Sequence, residues 1–244
     1  MRTRANWQLS SASSKGNEMA DSSLLMPGAD EAYRRSRDRL RAAEIELRDR
    51  IEAVAALRRE LSPGPVVPDY SFIENGNCIH LSELFAAEKP YLIVYHLMYW
   101  ANDASFCPSC SMWIDGFNGI APHVTQQTNF VIASRAPIDR LREWATHRGW
   151  HRLRLLSDDG RAFARDIDAE DAEGNPDSTV VVFAKEGDRV RHVYTAHPIL
   201  ENRGGGIDLL TPTYHLLDLT PAGRGEWDPS GDVAWRDRHR RCTG

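Results

Sequence analysis

The sequence predicts an α/β fold, a mixed β-sheet flanked by helices and preceded by one long amphipathic helix. Three observations predict it. Residues 29–61 carry apolar side chains at a helical period. From residue 66 onward, short apolar runs alternate with helical stretches, the pattern of a parallel central sheet. Later, apolar runs at 179–183 and 190–194 flank a Gly-bearing turn, which adds antiparallel strands at one side.

The first helix follows from a seven-residue recurrence of Tyr33, Leu40, Leu47, Val54 and Leu61, with Ala43, Ile51 and Leu57 between. Ser62-Pro63-Gly64-Pro65 bars its continuation. Its single stripe suits docking on the domain's own surface. Dimerisation with a second copy is the alternative, weakened by Ser36 and Arg50 at the second core position. A domain then spans 66–220. Tyr70–Ile73 and Ile79–Leu81 flank Asn75-Gly76-Asn77 as a hairpin. Ser82 caps a short helical turn through Phe85. Tyr91–Met98 is nearly continuous in apolar residues, as a strand buried on both faces should be. A helix over Ser109–Ile120 and a strand over Asn129–Ala133 follow. Pro137 starts a helix that Gly149 ends. Leu153–Leu156 reads as a strand, Gly160–Ile167 as a short helix, 168–178 as an acidic loop and Leu209–Leu219 as a last helix, after a Gly204-Gly205-Gly206 joint. Residues 1–28 are polar and read as disordered, with Met19 or Met26 as alternative starts, and 221–244 read as a polar tail that Trp227 and Trp235 anchor. A parallel sheet closed by an antiparallel hairpin, with helices on both faces, is the thioredoxin-like arrangement.

The composition narrows the function. Hydrophobic residues are 41% of the 244, enough for a core, and the net charge of -5 is modest. The Arg-rich patches near 34–41 and 236–241 are interleaved with acids and read as solvated faces, so no nucleic-acid partner is expected. No run reaches the ~18 apolar residues of a membrane span, and the N-terminus lacks a signal's apolar core. The sequence therefore reads as cytoplasmic. Four cysteines are too few for a disulfide scaffold, so a close pair points to catalysis or metal binding.

That pair is Cys107-Pro108-Ser109-Cys110. It follows the buried strand through a loop at 99–106 and opens a helix. An open helix N-terminus presents unpaired N–H groups and a partial positive charge, which lower a thiol's pKa below the ~8.5 of a free cysteine. Pro108 suits the first helical position, and Cys110 lies on the same face as Cys107. Cys107 is expected to attack a disulfide as thiolate, and Cys110 to resolve the mixed disulfide. Pro108 and Ser109 would tune the potential. The partners are a protein or small-molecule disulfide or thiol and a thiol reductant, and no cofactor is required. A zinc site would need a second ligand pair, and Cys78 and Cys242 are isolated. An inert pair of core cysteines is the other alternative. Cys78 reads as a structural thiol and Cys242 as incidental. His96 ends one parallel strand and Arg135 follows the next, so both are expected near the thiols. There Arg135 would favour the thiolate or hold an anionic substrate, and His96 would carry a proton. A structural, hydrogen-bonded role is the alternative for each. Asp115, Asn118 and Trp113 read as structural. Pro176, before strand 179–183, is a candidate cis-proline flanking the disulfide, weakened by its separation from that strand.

Several segments together resemble the bacterial thioredoxin-like family labelled domain of unknown function 899. They are Leu92 to Met98, Cys107 to Trp113, Asp115 to Gly119, Ser134 to Pro137, Gly206 to Leu210 and Tyr214 to Pro221. The resemblance covers roughly residues 30–240. It implies a thioredoxin fold and a dithiol-disulfide oxidoreductase role. The chain is more loosely similar to peroxiredoxins in its order of segments and in Leu156-Ser157-Asp158-Asp159-Gly160 with Phe163-Ala164-Arg165. Trp100 and Ala104 stand where peroxiredoxins place a Pro and a Thr, so the hydroxyl that helps hold a peroxide is missing. Thiol peroxidase activity is therefore the alternative, and a non-enzymatic redox-sensing or partner-binding module is a third.

Overall fold

The computed structural model describes residues 27–158, 160–197, 212–221 and 229. The expectations for residues 1–26, the Gly204–Gly206 joint, Trp227, Trp235 and Cys242 lie outside them. The chain divides into two units at Glu60/Leu61.

The first unit is helix α1, Glu31–Arg59. Asp30 caps it, its carboxylate accepting the Tyr33 N–H at 2.7 Å. Glu31 in the first turn and Arg58 and Arg59 in the last complement the helix dipole. No residue of α1 is buried.

The second unit is built on a seven-stranded sheet. Strands β1 (Ser71–Glu74) and β2 (Asn77–His80) form the hairpin, and Asn75 and Gly76 carry the positive φ angles, 52° and 83°, of a two-residue primed turn. The short helical turn is a 3-10 segment, Leu81–Leu84, entered from His80 and not from Ser82. The His80 N–H reaches the Glu83 carboxylate at 2.8 Å, while Ser82 bonds Asp69. Then come β3 (Tyr91–Leu97), β4 (Tyr99–Trp100), β5 (Ser105–Phe106) and α2 (Pro108–Val124). They are followed by β6 (Asn129–Ser134), α3 (Ile138–Arg148), β7 (Arg154–Ser157) and α4 (Ala162–Asp166). The last elements are β8 (Thr179–Glu186), β9 (Arg189–Ala196) and α5 (Pro212–Leu217). Helix α2 runs past Ile120 to Val124, with Pro122 inside its last turn. Gly149 ends α3 at φ 78°, a left-handed cap that glycine takes without strain. Pro176 has a trans bond, as do all described residues.

The strand order is β2-β1-β7-β6-β3-β8-β9. Strands β3, β6 and β7 run parallel, and β8 pairs antiparallel with β3. This is the mixed, thioredoxin-like sheet. Side chains alternate across it, so each face carries its own core. One face gathers Leu92, Val94, Val131, Leu156, Val181 and Phe183 around Phe163 of α4. The other gathers Tyr95, Leu97, Ile132 and Val180 beneath α2 and α3. Phe163 meets Tyr70 and Phe72 edge-on, with ring centroids at 5.2 and 4.9 Å.

Phe163→Ala removes the ring that joins α4 to this core. It should lower unfolding free energy by about 3–5 kcal/mol, read from the urea midpoint, whereas Ile120→Ala on the exposed side of α2 should change it by less than about 0.5 kcal/mol.

Candidate functional site

The site is the start of α2. Cys107 is its N-cap, in extended conformation, and Pro108 takes the first helical position. A capping residue normally offers a side-chain oxygen to the N–H groups of the first turn. Here the Cys107 Sγ takes that place and accepts the Cys110 N–H at 3.3 Å. The carbonyl of Cys107 accepts the Ser111 N–H at 3.0 Å and the Ser111 hydroxyl at 2.9 Å.

Two devices hold this turn in place. The segment before it is a small hairpin, in which Tyr99 pairs with Phe106 and Trp100 with Ser105. Its tight end takes a positive φ at Ala104, and Asp103 accepts the Ser105 hydroxyl at 2.6 Å. The Cys107 N–H then bonds the Met98 carbonyl at 3.3 Å. From the other side, Trp144 of α3 donates its indole N–H to the Ser111 hydroxyl at 3.0 Å and stacks on Phe106 at 5.4 Å. The hairpin was missed in the sequence because two-residue strands carry no periodic signal. The Trp144–Ser111 bond spans two elements, and no local pattern announces it.

Cys107 and Cys110 are both reduced and buried, at 8% and 3% exposure. Burial pushes the Cys110 thiol well up, and the Cys107 sulfur beside it pushes further, while Tyr95 and the Met98 backbone act the other way. Pro108 and Ser109 form the turn between them. Among the described residues, no three His, Cys, Asp or Glu side chains gather as a metal site. Cys78 lies exposed on β2. Trp113 is core, Asp115 accepts from Arg148 and Trp150, and Asn118 bonds Gly149 and Arg152, so all three are structural.

The structure does not bring His96 and Arg135 to the thiols, which corrects the expectation. Tyr95 and His96 are neighbours on β3 and so point to opposite faces. Tyr95 joins the cysteines' core, whereas His96 lies against Phe163 of α4, with ring centroids at 6.3 Å. Arg135 turns to that same face. With Arg161 and Arg165 it converges on the carboxylate of Glu170, whose side chain is sealed from solvent. It also donates to the Gly174 carbonyl at 3.0 Å. Burial raises the Glu170 carboxyl, and the guanidiniums of Arg161, Arg135 and Arg165 more than reverse this. The His96 ring has no hydrogen-bond partner on either nitrogen. Burial, then the Arg135 charge, bring its pKa down to about 3. The ring is therefore neutral, and its 4.0 Å approach to Asp158 is not an ion pair.

The pH dependence of stability follows. Between pH 6.5 and about 3 the unfolded chain binds a proton at His96 that the folded chain refuses. This contribution is complete above pH 6.5 and is lost as pH falls, at about 1.4 kcal/mol per pH unit. From pH 6 to 5, where ordinary carboxylates stay ionised, urea midpoints should drop for the parent chain and stay level for His96→Leu.

No curated protein matches the chain. Among solved structures it is similar to the peroxidoxin BcpB of Mycobacterium tuberculosis, at TM-score 0.45 and 16% identity over 56% of this chain and 86% of that one. It is similar also to peroxiredoxin Q of Xanthomonas campestris, at 0.44 and 16% over 54% and 82%. An uncharacterized conserved protein from Geobacillus kaustophilus matches at 0.44 and 14% over 65% and 80%. Likenesses this distant say nothing of activity. Residues 26–241, which include the whole site, match the model of the family described as bacterial protein of unknown function, DUF899, and the chain belongs to that family.

Proposed function

We propose that this chain is a thiol–disulfide oxidoreductase in which Cys107 is the nucleophile and Cys110 the resolving thiol. One observation carries it: of the two buried sulfurs of a single motif, only Cys107 holds the helix N-cap. The Cys107 sulfur occupies the N-cap of α2 and accepts an N–H, in the partial positive charge of the helix start. Both effects favour the anion, which is the attacking form. Cys110 is buried behind it, and its thiol is held protonated by burial and by the neighbouring sulfur. A dithiol so divided attacks with one sulfur and resolves with the other.

The Cys107 thiolate attacks one sulfur of a substrate disulfide. The leaving sulfur departs with the electron pair and takes a proton, and Cys107 is left in a mixed disulfide. Cys110 then loses its proton, attacks Cys107 and expels the second substrate sulfur. The substrate is reduced by two electrons, and the pair is oxidised to a disulfide that a thiol reductant must reopen. Ala104, three residues before Cys107, offers no hydroxyl to hold a peroxide, which ranks this proposal above thiol peroxidase activity.

Cys107→Ser should abolish exchange with a disulfide substrate. Cys110→Ser should accumulate a covalent adduct, seen as added mass on the intact chain and removed by dithiothreitol. Like behaviour of the two variants would end the division of roles. Peroxide consumption sustained by added thiol, without disulfide exchange, would replace the proposal with a peroxidase.

A further inference from the structure

Tyr95 heads the described side chains that are fully buried when ranked by volume, yet its hydroxyl closes no hydrogen bond. A buried hydroxyl without a partner lowers stability by about 1–3 kcal/mol. A phenylalanine would fill the same space without that penalty, so the hydroxyl calls for an explanation.

Its surroundings supply one. Trp113 and Phe117 of α2 pack edge-on against the Tyr95 ring, with centroids at 6.0 and 5.3 Å. These residues stand three and seven positions after Cys110, on the same face of the helix, so the face that carries Cys110 is the one laid over Tyr95. In the sheet, Tyr95 pairs with Val180 of β8. Ser178 lies two residues before Val180 and so shares the face of Tyr95 as its diagonal neighbour. Besides burial, the groups that act on the Tyr95 hydroxyl are the Cys110 sulfur, Cys107 and the Ser178 side chain. Ser178 borders His197, one-third exposed, which approaches its carbonyl at 3.2 Å. A row of groups thus runs from the buried sulfur to the sheet's exposed edge.

We infer that Tyr95 is a catalytic residue of the dithiol, relaying the Cys110 proton to Ser178 and so to solvent while Cys110 attacks the mixed disulfide. This rests on the oxidoreductase proposal above. The Cys110 proton passes to the Tyr95 oxygen as the Tyr95 proton passes to the Ser178 oxygen, and the Ser178 proton leaves to water beside His197. Tyr95 ends neutral. The freed Cys110 electron pair forms the bond to Cys107, and the bond from Cys107 to the substrate sulfur breaks. That sulfur leaves as a thiolate. A buried thiol resists losing its proton, and a hydroxyl buried in the same core cluster offers the proton a path.

The test is a single turnover of the reduced full chain with 5,5′-dithiobis(2-nitrobenzoic acid), followed by absorbance. The first thiolate released reports attack by Cys107, and the second reports resolution by Cys110. Tyr95→Phe should leave the first phase within about twofold and slow the second at least ~10-fold, with loss of its solvent deuterium isotope effect. Its urea midpoint should equal or exceed that of the parent, which a hydroxyl with a structural role would not allow. Ser178→Ala should slow the second phase in the same direction and less. An unchanged second phase in both variants, or a Tyr95→Phe midpoint below the parent's, overturns the relay. A parent chain that releases no second thiolate overturns the oxidoreductase proposal itself, whatever the variants do.

Discussion

The closure of the first turn of α2 by a sulfur is the interaction on which the site depends. An N-cap oxygen accepts one of the orphan amides of a helix whatever the pH. A sulfur accepts weakly as a thiol and strongly as a thiolate. With Cys107 in that place, the quality of the cap and the ionisation of its thiol become one quantity. Pro108 assists by presetting the first helical φ and by having no N–H to leave unpaired. The turn cannot drift, because the β4–β5 hairpin fixes its entry and the Trp144–Ser111 bond fixes its flank. The geometry that makes the helix is also the geometry that makes the reagent.

Strand β3 divides what lies beneath that helix. Tyr95 and His96 differ by one position and by the whole thickness of the sheet. Both are fully buried, and both carry polar atoms without partners, but only Tyr95 shares a core with the thiols. The other face is closed around Glu170. Three guanidiniums meet its carboxylate, and Arg161 does so from a left-handed backbone, φ 61°, which a non-glycine residue adopts at some strain. The loop that bears Glu170 also closes on itself through the Asp177 N–H on the Ala169 carbonyl. This is a staple for the 168–178 loop, and it holds Arg135 against Glu170 on the face away from the thiols.

What the sequence made legible followed from local constraint. Asn75-Gly76 needed positive φ angles, Gly149 a left-handed cap and Pro108 a helix start, and each is where backbone chemistry requires it. Strand β3 was legible as a strand for the reason that hid its faces. A strand buried on both sides has no polar alternation, so nothing in Leu92 to Leu97 tells which side chains meet the helix above. His96 and Arg135 were placed by the end of the strand they occupy, a rule that fixes the edge and not the face. Within the acidic loop 168–178 nothing marks Glu170 for burial, since the guanidiniums that meet it come from residues 135, 161 and 165.

The division of the sheet constrains the chemistry above it. With His96 and Arg135 on the far face, the groups that act on Cys110 among the described residues are Cys107, Tyr95 and the Met98 backbone. None is a cation and none is a base of ordinary strength. The thiol site must therefore draw its electrostatics from the backbone, from the helix start and the amides around it, which are fixed dipoles that need no reorganisation during reaction. On the relay proposed above, the Cys110 proton would move through neutral hydroxyls, which would give the unpartnered Tyr95 hydroxyl its reason to persist in so apolar a core.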